Sequence, residues 1–230
     1  MVRKSSIRLI FELSVATNRA IKVAIVNQKS VLGQQSYDME PKEKSERLIE
    51  AASAILNAAP DRRLNIVVLN KALFYLDLAS LRDSGATITQ NAFIAIQHGP
   101  VVAKYPKRLV GQLEALGIAK QISQWDGSKP IVLESCRPHF NYLDSDAMIL
   151  ASAVTNFFAD ASSRQASDYS HENPGWKRAW VESQRTGKPS VVNMQVAMQQ
   201  IIEADPWMEL PLIDDEQLLA SADNADGDDW

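Results

Sequence analysis

The reactive side chains of this sequence are few and poorly grouped for catalysis. Cys136-Arg137-Pro138-His139 places the only thiol near an imidazole, and His98 and His171 are the other two histidines. A Cys–His nucleophile pair needs the imidazole within hydrogen-bond reach and a third group to orient it. Pro138, between the two in a segment that follows a hairpin, supplies neither. A structural zinc site takes four well-spaced thiolate or imidazole ligands, and one cysteine with three scattered histidines does not supply them. There is no glycine-rich phosphate cradle of the Walker or dinucleotide type. The expectation is a protein that is not an enzyme, with no catalytic residue, no metal and no cofactor.

More telling are polar residues set in apolar surroundings. Asn70, Lys71, Tyr75 and Asp77 interrupt a run of Ile66, Val67, Val68, Leu69, Leu73, Phe74, Leu76 and Leu78. A helix apolar nearly all round sits at the centre of a domain, and a buried ammonium needs a partner or an exit to solvent. Two readings of Lys71 and Asp77 follow: they pair inside a polar pocket of the bundle, or they shape a surface that a partner meets. His98, in His98-Gly99-Pro100, is a turn or cap residue or a recognition residue. His171 and Glu172 precede a helix start, where they cap it and pack on Trp176 or take part in recognition. Tyr105, Trp176 and Trp180 fit a core, and aromatics are equally the usual anchors of protein interfaces.

The elements that position these residues are mostly helical. Pro41 to Ala59 predicts a helix with Leu48, Ala51, Ala52, Ile55 and Leu56 on one face, ended by Pro60. The central helix is expected from about Leu64 to Leu81, closed by Ser84-Gly85. Ala92–Gln97 reads as a short strand, and Pro100 after the Gly99 turn as the first position of a new helix. Tyr105-Pro106 restarts a helix whose Leu109, Leu113 and Leu116 form a stripe ending at Gly117. Ile118–Gln124 and Ile131–Glu134 alternate around Trp125-Asp126-Gly127-Ser128, a β-hairpin pattern. Asp144 caps a helix over Ser145–Asp160, and Ser162–Asp168 is a further short turn of helix. Asn173-Pro174 starts a helix with Trp176, Ala179 and Trp180 on one face. Ser190–Glu203 is the last helix, with Val191, Met194, Ala197, Met198 and Ile201 as its stripe. The fold class expected is mainly α, a bundle of about seven helices with a small β-hairpin or sheet.

Composition bounds the rest. The 230 residues carry 24 Lys and Arg against 28 Asp and Glu, a net charge of -4, so no global field draws the molecule to nucleic acid or an anionic membrane. No stretch approaches the roughly 20 consecutive apolar residues of a membrane span, and a lone cysteine suits a reducing, cytoplasmic setting. Charge is nonetheless uneven. Residues 1–38 are basic (Arg3, Lys4, Arg8, Arg19, Lys22 and Lys29 against Glu12 and Asp38) and read as an N-terminal extension, with Met39 an alternative start to Met1. No Lys or Arg follows Lys188, and 204–230 reads as an acidic, disordered tail carrying Asp214, Asp215, Glu216, Asp223, Asp226, Asp228 and Asp229. That tail is a solubilising strip or one that engages a basic partner. Residues 39–203 are the expected globular domain.

Several motifs in order resemble those of one family. Leu69-Asn70-Lys71-Ala72-Leu73-Phe74-Tyr75-Leu76-Asp77 is followed by Thr87-Ile88-Thr89, Phe93-Ile94-Ala95 and His98-Gly99-Pro100-Val101. Later stands Ser170-His171-Glu172-Asn173-Pro174-Gly175-Trp176. Over about residues 45–185 this is similar to the Panacea domain of SocA-like and GepA-like antitoxins. The resemblance implies a bacterial, prophage-associated toxin–antitoxin system in which this chain neutralises a co-encoded toxin by direct contact. One member type is instead an adaptor that delivers its toxin to the ClpXP protease. The residues singled out for partner contact are Lys71, Tyr75, Asp77, His98, Lys104, Tyr105, His171, Glu172 and Trp176.

A nucleic-acid regulator is the alternative of a different class. Helix, the Leu109–Leu116 helix and a hairpin follow the order of a winged helix, with Lys104, Lys107 and Arg108 near one helix start and Lys120 and Lys129 on the hairpin. A DNA binder ordinarily carries a stronger basic stripe, since phosphate neutralisation dominates affinity. Nucleic acid is therefore the less expected partner.

Overall fold

The computed structural model describes residues 41–125, 128–134, 140–203 and 207. The extension 1–38, Met39, the Cys136–His139 segment and the acidic tail apart from Trp207 lie outside these described residues. No helix among the described residues is long and apolar enough to cross a membrane.

Proline opens α1 (Pro41–Ala58), where the missing N–H costs nothing in the first turn. Its expected stripe of Leu48, Ala51, Ala52, Ile55 and Leu56 is fully buried, each leucine or isoleucine worth about 1.5–3 kcal/mol of transfer free energy. A 3-10 turn at Pro60–Arg62 leads into a strand that the sequence did not suggest, β1 (Arg63–Asn65). Leu64, expected to begin the central helix, pairs with Ile131 instead. The helix α2 (Ile66–Ser84) begins two residues later, because the Asn65 side chain accepts the Val67 N–H at 2.9 Å and caps it. Gly85, at φ 79°, closes it with an N–H donated to Leu81 O.

A hairpin of β2 (Phe93–Ile96) and β3 (Gly99–Val102) follows, with Ala95 opposite Pro100. This corrects the helix expected to begin at Pro100. Pro106–Val110 is a π-turn that runs into the short α3 (Gly111–Ala115). Leu109 and Leu113 are buried as expected, but Leu116 is 63% exposed, since it stands beyond the helix end. The second hairpin, β4 (Ala119–Gln121) and β5 (Pro130–Leu133), forms as predicted. β1 adds to its free edge, giving a three-stranded sheet in the order β1-β5-β4.

The chain then returns to helix. Asp144 caps α4 (Ser145–Phe158), accepting the Ala147 N–H at 2.8 Å. A capping box of Ser162 and Gln165 starts α5 (Ser163–His171), which ends three residues beyond the expected turn. His171 is thus the last residue of a helix as well as the approach to the next. Asn173 caps α6 (Pro174–Thr186). The single helix expected over 190–203 is instead an extended segment followed by α7 (Met194–Ala197) and α8 (Gln199–Glu203). Val191, placed on its stripe, bridges Ile94 and is 63% exposed.

Packing centres on α2, which lies against α4, α5 and β3, while α1 packs on α4. Glu50 of α1, itself buried, accepts the N–H groups of Asn141 at 2.9 Å and Tyr142 at 2.8 Å, fastening the approach to α4. The architecture is mainly α with minor β, as the pattern predicted.

Candidate functional site

Because α2 is enclosed, its polar side chains are answered within the fold. Lys71 is fully buried and donates from Nζ to Pro100 O at 3.0 Å. Asn70 Oδ1 accepts the Val102 N–H at 3.1 Å, and its Nδ2 donates to Ile66 O. Residues 100 and 102 present their backbone groups on the same edge of β3, the one turned from β2. Two helix side chains therefore stand in for a further strand. The N–H that proline lacks falls on that edge, outside the β2–β3 ladder, which is why Pro100 sits in a strand.

Gly99 makes the close approach that this arrangement needs. Its φ is +93°, and a methyl group there would collide with Ser170 Oγ and lie 2.8 Å from Lys71 Cε and Nζ. Ser170 Oγ donates to Ser167 O at 2.8 Å, and Ser167 Oγ donates to His98 O at 3.2 Å. Trp176 Nε1 donates to Ile96 O at 3.2 Å. His171 stacks on Trp176 (centroids 4.2 Å, planes 16° apart), and Trp176 is near-parallel to Trp180 at 5.7 Å. On the outer edge of β2, Ala95 N donates to Ser190 O and Val192 N to Phe93 O. The hairpin is thus clasped on all sides, by α2, by α5 and α6, and by 190–192.

Burial sets the protonation of this cluster. It pushes the Lys71 ammonium down to about 7. Burial likewise lowers His171, the nearby Lys71 charge adds to the lowering, and a hydrogen bond to the Gln97 backbone opposes it. His171 Nε2 is buried without a partner among the described residues.

Asp77 secures the other end of the hairpin. Its carboxylate accepts the Thr89 N–H at 2.8 Å and the Thr89 hydroxyl. Burial pushes it up to about 7 against these bonds and one from Ile88. Asn91 continues the loop, donating to Lys44 O at 2.8 Å and accepting from Arg108 Nη2 at 2.6 Å. Tyr75 points elsewhere. Its hydroxyl donates to Gln200 Oε1 at 2.8 Å, and its ring meets Phe158, Tyr169 and Trp207.

The predicted residues therefore separate into three groups. Lys71, His98, His171 and Trp176 gather about the hairpin turn, and Glu172 follows His171 and pairs with Lys177. Asp77 and Tyr75 serve the loop and the aromatic core. Lys104 and Tyr105 follow β3 at the opposite end of the hairpin. Lys71, Tyr75 and Asp77 have no exposed surface and Trp176 little, whereas His98, Lys104 and Glu172 are exposed and Tyr105 and His171 half-buried. Of the basic residues near α3, Arg108 is turned to Asn91, and Lys120 lies 4.0 Å from Glu134. No group of three His, Cys, Asp or Glu among the described residues is arranged to hold a metal.

Sequence reasoning missed Thr89, Ser167, Ser170 and Asn173 as members of the clasp. Asn173 is fully buried; beyond its two cap bonds it donates to Ala197 O at 2.9 Å and Gln200 Oε1 at 2.8 Å. Small hydroxyl and amide residues near a helix start read as caps, and nothing local says that they also bridge elements.

Residues 69–177 match a family model described as antitoxin SocA-like, Panacea domain. The matched span runs from Leu69, just before the clasp residues of α2, to Lys177, just after Trp176, and lies within the region of the motif resemblance. It supports an antitoxin-type role, and that family implies a toxin as partner in general. No curated protein and no solved structure matches the chain.

Proposed function

From the antitoxin-type match at the centre of the chain, we propose that this protein binds a co-encoded toxin directly and neutralises it by stoichiometric, non-catalytic occlusion. The observation that carries the reading is the match over 69–177. The geometry is consistent with it: the motif residues build a rigid support for a surface turn, which suits a docking platform. Of the motif members, His98 is exposed at the turn next to Gln97, and Glu172 is exposed where it pairs with Lys177. Of the buried members, Lys71 and Trp176 hold that turn in place and Asp77 fastens Thr89 at the other end of the hairpin, and none of them meets the partner. Neutralisation takes place in the bacterial cytoplasm.

Co-expression with the adjacent open reading frame tests this, scoring growth and then co-purification at low and high salt. Growth rescue with a stable complex is the expected result. Rescue with loss of the toxin would point instead to an adaptor that delivers the toxin to a protease such as ClpXP. A harmless neighbour and no complex would sink the antitoxin reading, and steeply salt-dependent nucleic-acid binding would replace it.

A further inference from the structure

Beside the hairpin turn, the outer edge of β2 is only partly covered. Ala95 N donates to Ser190 O at 2.9 Å and Val192 N to Phe93 O at 2.8 Å, so residues 190–192 run along that edge. The ladder then stops. The Ser190 N–H, which a continuing antiparallel ladder would give to Ala95 O, goes instead to Ser183 Oγ at 2.8 Å, and that hydroxyl donates to Ala179 O at 2.8 Å. Lys188 O is taken by the Thr186 hydroxyl at 3.2 Å. Gln97 is the next residue whose backbone turns to this edge, and its N–H has no acceptor among the described residues.

A cleft of about 260 Å³ opens where residues 187–189 leave the edge, bounded by Ile96, Gln97, Trp180, Gln184, Lys188 and Pro189. It is smaller than the about 300–1,000 Å³ of a drug-sized ligand site and suits one side chain of a partner. Trp180 and Ile96 are half-buried and give it an apolar wall. Trp180 lies near-parallel to Trp176, which is itself tied to Ile96 O at 3.2 Å, so that wall is rigid. A fixed aromatic wall beside an exposed turn is the setting in which interface anchors bind.

Charge selects the occupant. The carboxylates of α5, of α6 and of the junction between them already have cations: Asp168 faces Arg164 at 3.8 Å, Glu172 Lys177 at 2.6 Å and Glu182 Arg185 at 2.6 Å. Lys188, at the mouth of the cleft, is exposed and pairs with no carboxylate among the described residues. His98 stands exposed on the same turn. The Gln97 N–H and the Lys188 ammonium are donors in want of an acceptor, and an ionised one bonds them most strongly.

Resting on the antitoxin reading, we propose that this cleft is the anchor pocket for the toxin and that it takes an acidic segment. An apolar side chain of the toxin seats against Trp180 and Ile96. An adjacent Asp or Glu carboxylate of the toxin accepts from the Gln97 N–H and from Lys188 Nζ.

Titration of the full chain with the product of the adjacent open reading frame tests this. Lys188→Glu and Gln184→Glu change only exposed side chains and should each weaken binding at least tenfold. Lys188→Arg should stay within about twofold of wild type, as should Lys107→Glu, which makes the same charge change beyond the opposite end of the hairpin. Trp180→Ala should also weaken binding at least tenfold; should it fail to fold, the two glutamate variants decide alone. Wild-type affinity in both glutamate variants would overturn the pocket and leave the antitoxin reading standing. Tighter binding by them would mean a basic partner segment and overturn it as well. A dimer of the chain alone that Lys188→Glu dissociates would assign the cleft to a second copy instead. Absence of any complex with the wild-type chain would sink the antitoxin reading and this proposal together.

Discussion

Lys71 and Asp77 lie on one buried helix, and burial acts on them in opposite directions. Lys71 is lowered from 10.5 to about 7, so between those values the unfolded chain holds a proton that the folded one does not. Its contribution to stability is fully present above 10.5 and is lost as pH falls towards 7. Asp77 is raised from 3.8 to about 7, so its contribution is fully present below 3.8 and is lost as pH rises through 7. Urea unfolding across pH checks both. Lys71→Met should flatten the rise in stability between 7 and 10.5, and Asp77→Asn the fall between 3.8 and 7, each leaving the other limb intact. An unchanged profile in Lys71→Met would mean that the ammonium reaches water. The asparagine can still accept the Thr89 N–H and donate to its hydroxyl, so Asp77→Asn should cost less than about 2 kcal/mol, and Asp77→Ala, which orphans both groups, more.

At the scale of elements, the hairpin depends on close approach and the α5–α6 junction on one shared amide. Gly99→Ala combines a positive φ with contact against Ser170 and Lys71, and should destabilise by about 3 kcal/mol or more, read as a lower urea midpoint with unchanged slope. A wild-type midpoint would show that Ser170 and Lys71 can yield. Asn173→Ala removes the α6 cap and the ties to Ala197 and Gln200. Loss of a cap costs about 1 kcal/mol, and leaving the buried Ala197 carbonyl unpaired adds about 1–3 kcal/mol. Loss confined to the cap value would place α7 and α8 outside the cooperative unit. The β-elements were harder to foresee than the helices for a related reason. β1 is three residues with no alternation to detect, and Pro100 follows a glycine as a helix-starting proline also does. Only the partner strand and α2 distinguish the two outcomes.

For the whole molecule, the proposed function separates a buried scaffold from an exposed surface, and the two should respond differently to substitution. His98→Asp combined with Lys177→Glu changes only exposed side chains at the hairpin turn and on α6. Toxin affinity should fall at least tenfold in a titration, while the melting temperature moves by no more than about 2 °C. Equal affinity would move the docking surface away from the turn. Lys71→Met should do the reverse, altering the pH dependence of stability while leaving affinity at neutral pH close to wild type.

The sequence by itself determined the helical class, most helix boundaries and caps, the 118–134 hairpin and the polar positions on α2 that required partners. These follow from local periodicity, proline and glycine geometry, and the cost of burying charge, all written within a few residues of one another. Its family motifs also pointed to an antitoxin-type role. Only the tertiary structure decided that Lys71 answers Pro100 O, that Asp77 holds Thr89, and that His171 and Trp176 brace the same hairpin from the far end of the matched segment. Those pairings join residues 12 to 80 positions apart, and local propensity carries no information about which distant backbone group will lie opposite a given side chain. The same holds for exposure: Lys71 and His98 were both candidates for partner contact until packing buried one and left the other on the surface.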